Sequence, residues 1–128
     1  MKKCLLFTGL SGLTGVMLGA FGAHALLATL IASGSVSIWE TAVFYHIAHS
    51  VAMLTISLHA QHHAADHRKW LVGICICWLL GILFFSGSLY GLALGGPKWL
   101  GPVTPVGGVF LLAGWGGVMA GALKSKQI

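Results

Sequence analysis

Seven histidines and two carboxylates hold most of the acid–base and metal-binding capacity of this chain. His46 and His49 lie in the stretch from Ser37 to Met53, SIWETAVFYHIAHSVAM, inside a run apolar enough to span a membrane. Trp39, Ala42, His46, His49 and Met53 recur at three- and four-residue spacing, which places them on one helical face with Ser50 and Ser57 beside it. Val43, Ile47, Val51, Leu54 and Leu58 occupy the opposite face and read as its lipid side. A histidine facing hydrocarbon would be unsatisfied, so both are expected to point into protein.

Glu40 falls on the other side of that helix from His49. Ser37-Ile38-Trp39-Glu40 has the form of a capping box, so the simplest role for Glu40 is to help open the helix and favour its dipole. A third group, His59, His62, His63 and His67 with Asp66, follows the helix. His59, His63 and His67 stand four apart and would align on a helix, where with Asp66 they could hold zinc, nickel or copper. Their spacing matches no closed metal site, so the expectation is a solvated, partly basic loop at the headgroups, with no resident metal or cofactor.

The elements that position these groups follow from composition. Hydrophobic residues make up 57% of the chain and charged residues 7%, against roughly 25% charged in soluble domains. The net charge of +5 does not indicate nucleic-acid binding. Lys2, Lys3, Arg68, Lys69, Lys124 and Lys126 cluster at span ends, the distribution of cytoplasmic loops. Four spans are expected, at about 4–26, 37–58, 70–94 and 105–123, in a single domain over 1–128. The fold class is an all-α, four-span antiparallel transmembrane helix bundle with both termini cytoplasmic. The first apolar run is longer than a signal-peptide core and reads as a span. Cys4, Cys75 and Cys77 form no disulfide framework.

Small residues pattern the helices. Thr8, Gly12, Gly15, Gly19 and Gly22 form one seam in the first span, and Ser11, Gly15, Gly19 and Ala23 a second row. Gly107, Gly114, Gly117 and Gly121 form a seam in the fourth. Such rows allow the close backbone approach that drives helix association in lipid. The uncharged segment 27–36 reads as a plain connection, and Thr104-Pro105 as the cap and first residue of the last helix.

Counting depth at ~1.5 Å per residue groups the polar residues into two layers. His24, Glu40 and Tyr90 lie roughly 5–6 Å below the outer ends by that rise; His46, His49, Ser86 and Ser88 lie at roughly 9–16 Å. The expected contacts are His24 with Glu40 and Tyr90, and His49 with Ser86 or Ser88, as interhelical hydrogen bonds.

Several motifs resemble the transmembrane-protein-256-like family of small inner-membrane proteins, a domain of unknown function. They are Gly12-Leu-Thr-Gly15, Leu18-Gly-Ala-Phe-Gly-Ala-His24, Trp39-x-x-Ala42-x-x-Tyr45-x-x-x-His49, Phe85-Ser-Gly-Ser-Leu-Tyr90 and Val103-Thr-Pro-Val-Gly-Gly108 with Gly114-Trp115. The resemblance implies the four-span fold and no activity. It marks His24, Trp39, Tyr45, His49, Ser86, Ser88, Tyr90, Thr104 and Pro105. His46 and the His59–His67 group depart from it.

With two carboxylates and no set of nucleophile, base and orienting group, the chain does not read as an enzyme. It reads as a non-catalytic module that packs with the bilayer, a second copy, a partner subunit or a lipid. The alternative is an intramembrane site in which His24 and His49 bind a metal or haem or relay protons.

Overall fold

A computed structural model describes residues 2–124; Lys126, counted among the cytoplasmic charges, lies outside them. Every described element is helical: α1 (Lys2–Ala23), α2 (Leu27–Ser33), α3 (Val36–His59), a 3₁₀ turn (Ala60–His62), α4 (Ala65–Gly81), a π turn (Ile82–Ser86), α5 (Gly87–Ala93) and α6 (Leu100–Lys124). Because α4, the π turn and α5 run on as one rod, four helices are long and apolar enough to cross a membrane. Their outer faces are hydrocarbon: Leu6, Leu13 and Val16 on α1 and Val109, Leu112 and Met119 on α6 are all exposed. Large apolar side chains turned outward suit a protein whose solvent is lipid.

The helix α3 is the centre, packed against α1, α4 and α5, while α6 packs on α4, the π turn and α5. The buried side of α3 carries Trp39, Ala42, His46, His49, Ser50, Met53 and Ser57. Its opposite side divides. Val51, Leu54 and Leu58 are exposed, whereas Val43 and Ile47 are partly covered because they meet glycines of α1. One apolar core joins Met53, Leu71, Ile74, Trp78, Ile82 and Leu111. A smaller one joins Leu30, Trp39 and Ala93.

Besides the end of the first span, where α1 stops at Ala23 and leaves His24 in the turn after it, four boundaries differ from the expected ones. Segment 27–36 is not a plain connection: α2 forms there and Gly34, at φ 66°, ends it in the left-handed conformation open to glycine. The capping box does not form. The residue before α3 is Ser35, and its hydroxyl donates to the Ala93 carbonyl at 2.8 Å, tying the start of α3 to the end of α5. Ser37 lies inside the helix, its carbonyl accepting from Thr41, and Glu40 is exposed. The third span begins at Ala65, because Asp66 at the N-terminal turn and the polar residues after it are already helical.

The last helix begins at Leu100 rather than at Pro105. Two i→i+3 bonds, from Leu100 N–H to Pro97 and from Gly101 N–H to Lys98, wind the chain into it. Pro102 costs nothing in the first turn, whose N–H groups have no helical acceptor. Thr104 therefore does not cap; its hydroxyl meets Ser88 at 2.5 Å.

Candidate functional site

The polar groups of α3 are taken up by α1 on one side and by α5 and α6 on the other. Toward α1 they form a ladder. Thr8 meets Ser57 at 3.5 Å, Ser11 meets Ser50 at 2.6 Å, Thr14 meets His46 Nε2 at 3.4 Å, and the Trp39 indole donates to the Leu18 carbonyl at 2.9 Å. Between the rungs, glycines admit the neighbouring helix. A Cβ built on Gly15 would lie 2.7 Å from Ile47 Cδ1 and one on Gly19 3.2 Å from Val43 Cγ1, while one on Gly22 would overlap Nε1 and Cδ1 of the Trp39 indole. Gly12 has no such wall, with nothing within 4 Å. On α6, Gly114 sits under Trp78 and Gly117 under Ile74.

His46 links three elements. Its Nδ1 lies 3.0 Å from the Tyr90 hydroxyl of α5, and its Nε2 faces Thr14 of α1. Thr14 donates to the Leu10 carbonyl at 2.9 Å, so its oxygen is left to accept. One arrangement then satisfies every partner: Tyr90 O–H to His46 Nδ1, His46 Nε2–H to Thr14, and Thr14 O–H to Leu10. Packing reinforces it, with the Tyr90 ring 4.7 Å from Trp39 and 6.0 Å from His46.

His49 is fully occupied. A carbonyl can only accept, so Nδ1–H donates to Tyr45 O at 2.8 Å. An indole N–H can only donate, so the Nε2 lone pair takes Trp115 Nε1–H at 3.1 Å. Trp78 and Trp115 both stand edge-on to the imidazole with centroids 6.1 Å away. No lone pair remains for a metal or haem iron unless Trp115 is displaced.

The expected layers are rearranged. His24 and Glu40 are exposed and neither side chain has a hydrogen-bonding partner among the described residues. Tyr90 pairs with His46 instead. Ser86 does not meet His49; it donates to the Ala42 carbonyl at 2.7 Å, and Ser88 to the Phe85 carbonyl at 3.0 Å. Depth was a poor guide because the rotation of each helix decides which group at a given level faces which neighbour. Tyr45 is more than a third exposed, with its ring 4.6 Å from Phe85. The partners absent from the expected layers are Thr14 and Trp115. Both carry groups able to pair with an imidazole, a hydroxyl and an indole N–H, and that chemistry was the available signal.

The His49–Trp115 bond should be measurable. Trp115→Phe is expected to lower stability in detergent by about 1 kcal/mol, since it strands Nε2 in the interior. In a His49→Leu background the same change should cost much less. Equal losses in both backgrounds would mean the bond contributes nothing.

The family model described as "Protein of unknown function (DUF423)" matches residues 18–108. A Haemophilus influenzae relative, a UPF0382 membrane protein, is 36% identical over 99% of this chain and 98% of its own length. The Escherichia coli K12 relative, the UPF0382 inner membrane protein YgdD, is 39% identical over 96% of this chain and 91% of its own length. One from Staphylococcus saprophyticus, a UPF0382 membrane protein, is 37% identical over 97% of this chain and 99% of its own. No solved structure matches the chain. A family match over most of the chain and four membrane-competent helices agree: this is a multi-pass inner-membrane protein, and it belongs to the DUF423 family.

Proposed function

We propose that this protein is a non-catalytic inner-membrane module that holds a lipid chain in a cleft on the side of its bundle. The observation that carries the reading is a cavity of about 430 Å³ between α1 and the α4–α5 rod, within the range of small-molecule sites. Phe7, Leu10, Leu18, Leu79, Ile82 and Leu83 make most of its wall. Ser11, Thr14, His46 and Tyr90 put a short polar strip along it. Hydrocarbon suits such a wall, and an amphiphile's oxygen could exchange hydrogen bonds with the strip. The imidazole and hydroxyls of the strip bond one another and a backbone carbonyl, from Tyr90 through His46 and Thr14 to Leu10 and from Ser11 to Ser50, which favours binding over chemistry.

The chain is a single domain over 1–128 on this reading. The ladder supports an antiparallel bundle, because rising numbers on α1 meet falling numbers on α3. Lys2, Lys3, Arg68, Lys69 and Lys124 at the same ends support cytoplasmic termini.

Native mass spectrometry of protein extracted in mild detergent tests the reading. The wild type should carry lipid. Leu10→Trp and Leu83→Trp, which fill the cleft, should carry it at a tenth of that occupancy or less. Equal lipid on wild type and on both filled variants, or none on the wild type, would overturn it.

A further inference from the structure

The end of the molecule where α3 turns into α4 carries a second constellation, at a cavity that shares no lining residue with the cleft. We propose that His59, His63 and His67 bind a divalent transition-metal ion, with one coordination position open to the adjoining cavity. His59 is the last residue of α3, His63 follows the 3₁₀ turn in an extended conformation, and His67 lies in the first turn of α4. The four-residue spacing therefore does not act along one continuous helix. The reversal of the chain gathers the rings instead, with centroids 4.1 Å apart for His59–His63 and 4.6 Å for His63–His67. One nitrogen from each of the three lies within 4.8 Å of the others.

That separation is close to what a metal needs. At a metal–nitrogen distance of about 2.1 Å, tetrahedral ligands stand about 3.4 Å apart, so the rings must close by a little over an ångström. His59 and His67 are exposed and can swing that far. His63 is already prepared. Its Nδ1–H donates to the His59 carbonyl at 2.9 Å, which fixes the tautomer and leaves Nε2 as the free lone pair. A ligating histidine that donates its other nitrogen to a backbone carbonyl is the arrangement metal sites use to orient the ring.

The donor set selects the ion. Three imidazoles suit zinc, copper(II) or nickel, whereas magnesium and calcium require oxygen ligands. Asp66 does not complete the set. Its carboxylate stands in solvent beside Lys69 at 3.7 Å, outside the group that the three histidines form. Three protein ligands leave a tetrahedral ion one position short, the mark of a site that keeps a water or takes a ligand. The three histidines themselves line a cavity of about 780 Å³, together with Asp66, Trp70 and Lys124, whose ammonium lies 4.8 Å over the Trp70 ring, so a ligand at that position has room beside the ion.

The test uses full-length, tag-free protein in mild detergent and zinc alone as the probe. Equilibrium dialysis with element analysis should give one zinc per chain. His63→Gln, His59→Gln and His67→Gln should each weaken binding at least about 100-fold, more than the loss of an orienting partner alone. His62→Gln, a neighbour outside the set, should bind as the wild type does. Zinc should raise the melting temperature of the wild type and of His62→Gln only. All these side chains stand at or near the surface, so the zinc-free variants should melt with the wild type. Unchanged binding in His63→Gln, equal weakening in His62→Gln, or no stoichiometric zinc on the wild type would each overturn the site.

Discussion

Gly107→Ala should destabilise the protein by about 3 kcal/mol or more, the upper end of what overpacking costs. A Cβ at this position would lie 2.6 Å from the Phe84 carbonyl carbon and 2.7 Å from Phe85 Cα. Those atoms belong to the backbone of the π turn, so no rotamer change can make room. The whole of α6 would have to move away, and its hydrogen-bonded and packed contacts with the rod would move with it. Gly12→Ala and Gly116→Ala are the controls, with nothing within 4 Å of the added carbon. There alanine's better helix propensity should leave stability unchanged or raise it by about 0.5–1 kcal/mol. Thermal unfolding in detergent, followed by circular dichroism, separates the two classes. A Gly107→Ala protein that melts with Gly12→Ala would mean that α6 does not approach the π turn this closely.

The π turn also shows where sequence reading reaches its limit. The widened bond, Gly87 N–H to Ile82 O, inserts one residue into an otherwise continuous apolar rod and leaves no trace in hydropathy. The spans themselves were legible, since length and apolarity are local properties of the chain. So was the buried face of α3, because period 3.6 alone separates His46 and His49 from Leu54 and Leu58. What failed depended on partners far away in sequence. Ser37 has the local form of a cap, but Ser35 is held by a carbonyl 58 residues on. His49 finds Trp115 across 66 residues and His46 finds Tyr90 across 44. Gly12 has the spacing of its seam without a neighbour to meet. Periodicity reveals which side of a helix is special, while the identity of the neighbour is set by packing.

That distinction gives the second large effect, at Gly114. Three tryptophans lay their indole nitrogen over a glycine of the next helix. Trp39 lies over Gly22 and Trp70 over Gly121, and each donates to the carbonyl four residues earlier, Leu18 at 2.9 Å and Gly117 at 3.2 Å. The missing side chain exposes that carbonyl. Trp78 lies over Gly114 in the same way, but its buried N–H has no acceptor among the described residues, and it is 1% exposed between Trp115 and His49. Gly114→Ala should therefore cost about 2–3 kcal/mol, because the indole it strikes has nowhere to retreat. Unlike the wall at Gly107, this one is a side chain and can be removed. Trp78→Leu alone should cost about 2–4 kcal/mol through the cavity it leaves, the lost N–H adding nothing to that cost. The two together should cost at least about 1 kcal/mol less than the sum, since the methyl then enters vacated space. The same Trp78→Leu change should leave the loss at Gly107→Ala undiminished. Strict additivity at Gly114 would show that Trp78 does not occupy the space above it.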